Sequence, residues 1–287
     1  LAIWSAMTAV CGLAQNFVQL LLARIGVGVG EAGCTPAAHS LIADAVPTEK
    51  RASAIAFYGL GIPIGGLIGN LGGGLLSDNF GWRTAFMVVG VPGLIMAIAI
   101  PFLLKEPRIA KALVHPNAPQ RPTMSFGDAL SEVLGSRAFV LLAIAASLTA
   151  FLSYGKGVWV TILFMRDFGL SATETGFWLG TVLAITAAAG TWMGGALADH
   201  FGKKDKKYIL YAPAIGMVIA APILFFAYWT TAWRWSIALL ALPTTLNSFS
   251  YGPCYACAQG LVRPEARAVA SSIMVFGQNL IGLGLGP

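Results

Sequence analysis

Charged side chains are what this sequence has least of. They make up 10% of its 287 residues, where a soluble domain carries about 25%. A fold in water cannot hide that deficit, because its surface must be solvated. With 57% hydrophobic residues and a mean hydropathy of +0.75, the solvent implied for most of the surface is lipid. Histidine is scarce as well. His39, His115 and His200 lie far apart, without metal-ligand spacing. No metal site or other cofactor is implied, and the lack of a clustered nucleophile and base argues against an enzyme. Of the four cysteines, Cys254 and Cys257 form a lone C-x-x-C with no second pair, so zinc is not expected. All four read as small buried hydrophobes. No signal peptide is visible, and the chain opens and closes inside apolar runs, which reads as a fragment of a longer chain.

What is abundant is the apolar run. A membrane-spanning helix needs about 20 apolar residues. Nine candidates fit, at 1–14, 16–42, 53–76, 84–104, 138–165, 173–198, 208–229, 235–262 and 268–287. The runs are long and do not alternate, which predicts helices rather than barrel strands. The net charge of +6 is no nucleic-acid signal, because the basic residues sit in short loops. One set of loops holds Lys50, Arg51, Lys105, Arg108, Lys111, Arg121, Arg137, Lys203, Lys204, Lys206, Lys207, Arg263 and Arg267. The opposite set holds only Arg83, Arg166 and Arg234. Thirteen against three places the first set in the cytoplasm.

The one long connection, 105–137, carries Pro107, Pro116, Pro119 and Pro122 and then SFGDALSEVLGSR. Ser125 and Asp128 make a capping pair, and Phe126, Leu130 and Leu134 recur every four residues. A short helix on the inner membrane surface is predicted, with a plain soluble linker helix as the alternative. The organisation expected is a first half over 1–104, this cytoplasmic linker, and a second half over 138–287.

Two internal matches support that division. EKRASA (49–54) and EARAVA (265–270) both read E-x-R-A-x-A, and at the same offset Gly61 meets Gly277 and Gly66 meets Gly282. The segments begin the third and ninth spans, a parallel repeat of six-span halves. GLLSDNFGWR (74–83) and GALADHFGKK (195–204) share G-x-L-[AS]-D-x-F-G. They end the third and sixth spans on opposite faces, an inverted repeat of three-span units.

The most unusual stretch is ARIGVGVGEAGC, residues 23–34, where Arg24 and Glu31 interrupt a span that should carry no charge. Seven residues apart, they share a helix face about 10 Å apart along the axis. A charge facing hydrocarbon costs several kcal/mol, so each is expected to look into a polar cavity or another helix. The glycines between them, Gly26, Gly28 and Gly30, allow close helix approach. In the functional reading Glu31 carries a transported proton and Arg24 supplies positive potential; too far apart to pair directly, they would in the alternative reading make static ion pairs with helices outside this sequence that fix packing. Lys156, in SYGKGVWV, is a third charge within a span. Its flanking glycines could open the helix, and it would meet an anionic headgroup or carboxylate, unless it snorkels outward. Asn247, Tyr251, Tyr255 and Gln259 recur every four residues along one face of the eighth span. His39, near the cytoplasmic end of its span, reads as a surface imidazole, with a place in a proton path as the alternative.

These segments carry a resemblance. GALADHFGKKDKK resembles the signature loop of the major facilitator superfamily, G-x-L-A-D-x-x-G-[RK]-[RK]. RIGVGVGEA is similar to that family's fourth-helix motif, and GWRTAF to the start of its sixth helix. The resemblance covers essentially the whole chain. It implies an all-α integral membrane protein of two pseudo-symmetric six-helix halves, here a fragment holding helices three to eleven. The segment GVGEAGCTPAAHSLIADAVPTEKRASAIAFYGLGIPIGGLIG looks like the Spinster group, linked to lysolipids and sphingoid phosphates, while G-E-A-x-x-x-P-A also resembles organic anion:cation symporters. GGLIGNLGGG is reminiscent of the antiporter fifth-helix motif, with Asn70 where proline is expected.

The resemblance implies a proton-coupled secondary transporter of an amphipathic or organic anion. The alternatives are a symporter for a small carboxylated solute and a non-transporting membrane receptor. It places the second, fifth and eighth spans around a central cavity, with Arg24, Glu31 and Lys156 as coupling residues and Asn247, Tyr251, Tyr255 and Gln259 as polar lining. Phe57, Tyr58 and Trp159 would be apolar contacts or core. It implies a cytoplasmic gate of Gly195, Asp199, Gly202, Lys203 and Lys204 closing against Arg51 and the start of the third span. Gly195 and Gly202 would permit a tight turn, and the lysines would hold anionic lipid. The expected partners are a small-molecule or lysolipid substrate, protons and membrane lipids, with no nucleic acid. A monomer in the plasma (inner) membrane is expected.

Overall fold

The structure, a computed structural model, describes residues 1–103 and 124–286, with the side chains of Asn70, Leu71, Gly74, Asp78, Ala172, Thr173, Lys206 and Leu283 left aside. The proline-rich first part of the linker, with Lys105, Arg108, Lys111 and Arg121, lies outside the described residues, as does the side chain of Asn70. The described chain is helical throughout.

Within the described residues all nine apolar runs are helical, and the linker adds one more helix. They form α1 (Ala2–Leu13), α2 (Phe17–Ala32), α3 (Cys34–Ala45), α4 (Arg51–Gly59), α5 (Gly61–Leu103), α6 (Phe126–Gly135), α7 (Arg137–Arg166), α8 (Ala172–Gly202), α9 (Tyr211–Trp229), α10 (Trp233–Ser248), α11 (Tyr251–Gly260) and α12 (Arg267–Gly277). A π-helical turn, Gln278–Leu283, follows α12. Among the described residues six segments are long and apolar enough to cross a membrane: Phe17–Ala45, Thr48–Gly69, Asn79–Leu103, Arg137–Arg166, Glu174–Gly202 and Lys207–Trp229. The third and fourth runs meet at Gly81, whose φ of 80° is a left-handed conformation that glycine adopts without strain. The eighth run breaks at Phe249 and Ser250, between α10 and α11.

Large apolar side chains point outward along these helices. Phe102 is 83% exposed, and Phe17, Val218 and Trp229 each 75%. This is the outside of a protein solvated by lipid. Between such helices apolar burial supplies little drive, so close contact through small residues does the holding. Gly190 and Gly194 of α8 lie against the backbone of Thr245 and Phe249, and a Cβ at either would overlap it. Gly195 and Gly252 both pack against the Ala52–Ala56 stretch of α4. A Cβ on Gly195 would sit 2.5 Å from the Ala56 Cβ, and one on Gly252 would sit 2.5 Å from the Ala52 carbonyl oxygen.

The linker helix α6 is capped by Ser125, whose hydroxyl accepts from the Asp128 N–H at 3.1 Å. Ala129 and Val133 are buried while Phe126 and Leu134 point outward. Glu132 ties α6 to the loop before α12, accepting from the Arg263 N–H at 2.8 Å. The main buried cluster, around Ile55, Val133, Phe139, Tyr255 and Met274, therefore joins α4, α6, α7, α11 and α12 near the basic ends of the helices.

Candidate functional site

The first half of the site is a set of contacts at the basic end. The carboxylate of Asp199, near the end of α8, accepts the backbone N–H groups of Ala52 at 3.0 Å and Ser53 at 2.8 Å. These are orphan donors in the first turn of α4, where a carboxylate is favoured by both hydrogen bonding and the helix dipole. Asp199 thus caps a helix that lies 146 residues away in the chain. Arg51, expected as its partner, does something else. Its Nη2 donates to the Ala43 carbonyl at 2.8 Å, covering the C-terminus of α3. Arg267 at the start of α12 pairs with Asp44 at the end of α3, Nη1 to Oδ1 3.1 Å, with both side chains largely buried.

Gly195 and Gly202 serve separately rather than in one turn. Gly195 is mid-helix and sits there because α4 passes so close. At Gly202 the chain folds back onto Ile209, 2.7 Å from where a Cβ would be. Lys203 and Lys204 are exposed. Gln259 is fully buried, against its expected place in a cavity wall. Its amide donates to the Arg267 carbonyl at 3.2 Å and to the Ser271 hydroxyl, binding α11 to α12.

Just inward of these contacts lies a cluster that the sequence reading misplaced. His39 is not a surface imidazole but completely buried. Its ring packs among Tyr58, Tyr251 and Tyr255, with centroids at 5.4, 6.1 and 4.3 Å. Neither ring nitrogen has a hydrogen-bond partner among the described residues. The cluster joins α3 and α4 to α11, and Gly59 leaves room for the Tyr251 ring.

The second half of the site is a cavity of about 1000 Å³. Its wall includes Gly59, Ile62, Pro63, Gly66 and Leu67 of the third span and residues from Ala146 to Thr161 of α7. It is completed by Thr175 to Thr191 of α8, Asn247, Tyr251 and Tyr255, and Gln278 and Asn279. In each span these positions lie beyond the basic-end contacts, from mid-helix outward. The cavity therefore occupies the middle and the far side of the bundle. No Asp, Glu, Lys or Arg side chain lines it among the described residues.

The second span, expected in that wall, contributes none of these residues. The three glycines of GVGVG explain why. Gly26 and Gly30 face α1, where added Cβ atoms would run into Met7 and Trp4. Arg24, Gly28 and Glu31, at i, i+4 and i+7, form a different stripe; nothing lies within 4 Å of a Cβ at Gly28. Arg24 and Glu31 are exposed, and the Arg24 guanidinium carbon lies 5.7 Å from the Phe86 ring centroid.

Lys156 sits in an unbroken stretch of α7, so its glycines do not open the helix. Gly155 instead permits close approach to Gly286. The Lys156 ammonium turns toward α10 and donates to the Thr244 hydroxyl at 3.4 Å. Phe57 and Trp159 point outward, 73% and 58% exposed, rather than into the cavity.

Among the lining residues that the sequence pattern did not point to are two amides, Gln278 and Asn279. The available signal was a polar pair, QN, breaking the last apolar run.

Similarity to known proteins agrees with this geometry. A family model described as Major Facilitator Superfamily matches residues 1–287. An MFS-type efflux pump of Mycolicibacterium smegmatis is 29% identical over 100% of this chain and 65% of its own length. Protein spinster homolog 1 of Xenopus tropicalis is 24% identical over 98% of this chain and 56% of its own length. The crystal structure of a bacterial homolog of the human lysosomal transporter Spinster, inward-facing and unoccupied, superposes with a TM-score of 0.67. It is 31% identical, covering 99% of this chain and 65% of that one. The chain thus spans less than two thirds of the length of these relatives.

Proposed function

The chain belongs to the Major Facilitator Superfamily, and from that premise we propose that the full-length protein is a proton-coupled secondary transporter of an amphipathic or organic anion, working by alternating access. It is an integral, multi-pass membrane protein, and we place it in the plasma (inner) membrane as a monomer. Lysolipid is the finer substrate reading, supported by the distant likeness to Spinster proteins.

The observation that carries the reading is the position of the cavity relative to the Asp199 cap. Helices from before and after the linker meet at the basic end through Asp199, Asp44–Arg267 and the His39 cluster, and the cavity between them lies beyond that seal. With the basic end cytoplasmic, this is the arrangement of a carrier closed inward. Breaking the seal would expose the same cavity to the cytoplasm.

The cavity's size and lining bear on the substrate. Its volume is at the top of the ~300–1000 Å³ range of small-molecule sites, room for a chain-bearing solute more than for a small carboxylate. Among the described residues the lining has no carboxylate to receive a cation. Arg24 and Lys156 supply positive charge within spans, and Glu31 is the proposed proton carrier.

The test is flux in proteoliposomes made with the full-length protein. Beyond the passive weak-acid entry seen in protein-free vesicles, lysophosphatidylglycerol or laurate added to one side should move protons, read by an internal pH dye, and benzoate should add nothing to its passive signal. Proton movement with benzoate alone would favour the small-carboxylate symporter. Silence with all three would remove the anion-transport reading.

A further inference from the structure

The two opposing walls of the cavity differ in polarity, and the internal repeat shows where. The offset that aligns EKRASA with EARAVA also aligns Ile62 and Pro63 with Gln278 and Asn279. All four residues line the cavity. One wall therefore carries an apolar pair where its repeat carries two amides. The amides stand on the π-helical turn Gln278–Leu283, a distortion found frequently at functional sites.

Gln278 is also oriented. Tyr255 Oη donates to its Oε1 at 2.6 Å. Tyr255 itself is 2% exposed and is held against His39 and Tyr251. With the amide oxygen engaged, the Nε2 group is the end left for a ligand, and it has no partner among the described residues. A primary amide presented by nitrogen can only donate. It therefore selects for an acceptor oxygen and against an ammonium group.

We propose that Gln278 is a specificity-determining residue, donating from Nε2 to an anionic oxygen, phosphate or carboxylate, at the polar end of the substrate. Tyr255 is the positioning residue that fixes the amide. Ile62, Pro63 and Leu67 receive the apolar part. The inference rests on the transport reading above and sharpens its substrate class.

Binding to the full-length protein in detergent tests it, using three chain-matched probes: lauroyl lysophosphatidylglycerol, laurate and dodecylammonium. The wild type should bind the two anions and prefer them to the amine. Gln278→Glu keeps an oxygen for Tyr255 but turns an acceptor toward the ligand, and should weaken anion binding about tenfold or more. Gln278→Met removes the donor at similar length and should lower the anion preference too, which keeps the test open if the glutamate variant does not fold. Tyr255→Phe should narrow the anion-over-amine ratio without moving the melting temperature by more than a few degrees. Unchanged anion binding in both Gln278 variants, with loss in Lys156→Gln, would overturn the role of Gln278 and leave the substrate class standing. No binding of either anion by the wild type would overturn the substrate class, and the role with it. Laurate binding without lysolipid binding would identify the recognised oxygen as carboxylate, the reverse as phosphate.

Discussion

Arg267 and Asp44 are joined by an ion pair of 3.1 Å that links the first turn of α12 to the last turn of α3, with side chains 14% and 5% exposed. Arg267 and Arg51 occupy equivalent places in the E-x-R-A-x-A repeat, yet their partners differ: one takes a carboxylate, the other the Ala43 carbonyl. The repeat fixes where a guanidinium stands, and the neighbouring helix end decides what it holds.

Breaking that pair should open the basic end. Removing one member of a buried pair strands the other charge at a cost of about 3–5 kcal/mol. Arg267→Ala is expected to raise cytoplasmic labelling of a cysteine introduced at Gln278 in a background without the native cysteines. Asp44→Arg with Arg267→Asp should restore part of the protection. If each single variant is labelled at the wild-type rate, the pair does not hold the closed state.

Asp199→Ala removes a cap rather than a charge pair, so a smaller effect follows. Loss of a helix N-cap costs about 1 kcal/mol, roughly a fivefold shift toward the open form. Asp199→Ser, which can still accept from one N–H, should recover part of it. Hydrogen exchange at Ala52 and Ser53, the two amides it holds, reads the change directly. Unchanged exchange there would contradict the cap.

How far the sequence foretold this arrangement depends on the range of the interaction. The nine helical runs follow from local hydropathy, and the signature-loop motif placed Asp199 at the start of the third span, although its partners there are the Ala52 and Ser53 amides and not Arg51. Gly195 shows the limit. Glycine in a helix reads equally as a turn, a hinge or a contact, and only the closeness of α4, whose Ala56 Cβ would lie 2.5 Å from a Cβ added at Gly195, selects the last. His39 was misread because one residue type serves surface and core alike, and the three tyrosines that bury it arrive from two other helices. Arg24 and Glu31 were legible as a shared face, but which face turned to α1 was decided by Gly26 and Gly30.

The two kinds of glycine in the charged stretch and the gate predict opposite outcomes. Gly195→Val must displace α4, costing about 1–3 kcal/mol as overpacking, and should abolish substrate-driven proton flux while the protein still reaches the membrane. Gly28→Ala meets nothing within 4 Å and replaces a poor helix former with the best one, a gain of up to about 1 kcal/mol. Melting temperatures of the two variants in detergent check both directions. A destabilised Gly28→Ala would mean that the Arg24–Gly28–Glu31 face is tightly covered in the full-length protein.

Glu31 is the sharpest test of coupling, because its charge can be removed without changing its shape. Glu31→Gln keeps the helix and the hydrogen-bonding reach but cannot carry a proton. If Glu31 is the carrier, the variant should still exchange labelled laurate across the membrane at equal concentrations, since that needs only the cavity and the gate. Accumulation driven by a pH gradient should vanish, and the exchange rate should no longer respond to pH. Loss of both exchange and accumulation would instead give Glu31 a structural part alongside Arg24. Gradient-driven uptake at the wild-type level, with its pH response intact, would remove Glu31 from the proton path altogether.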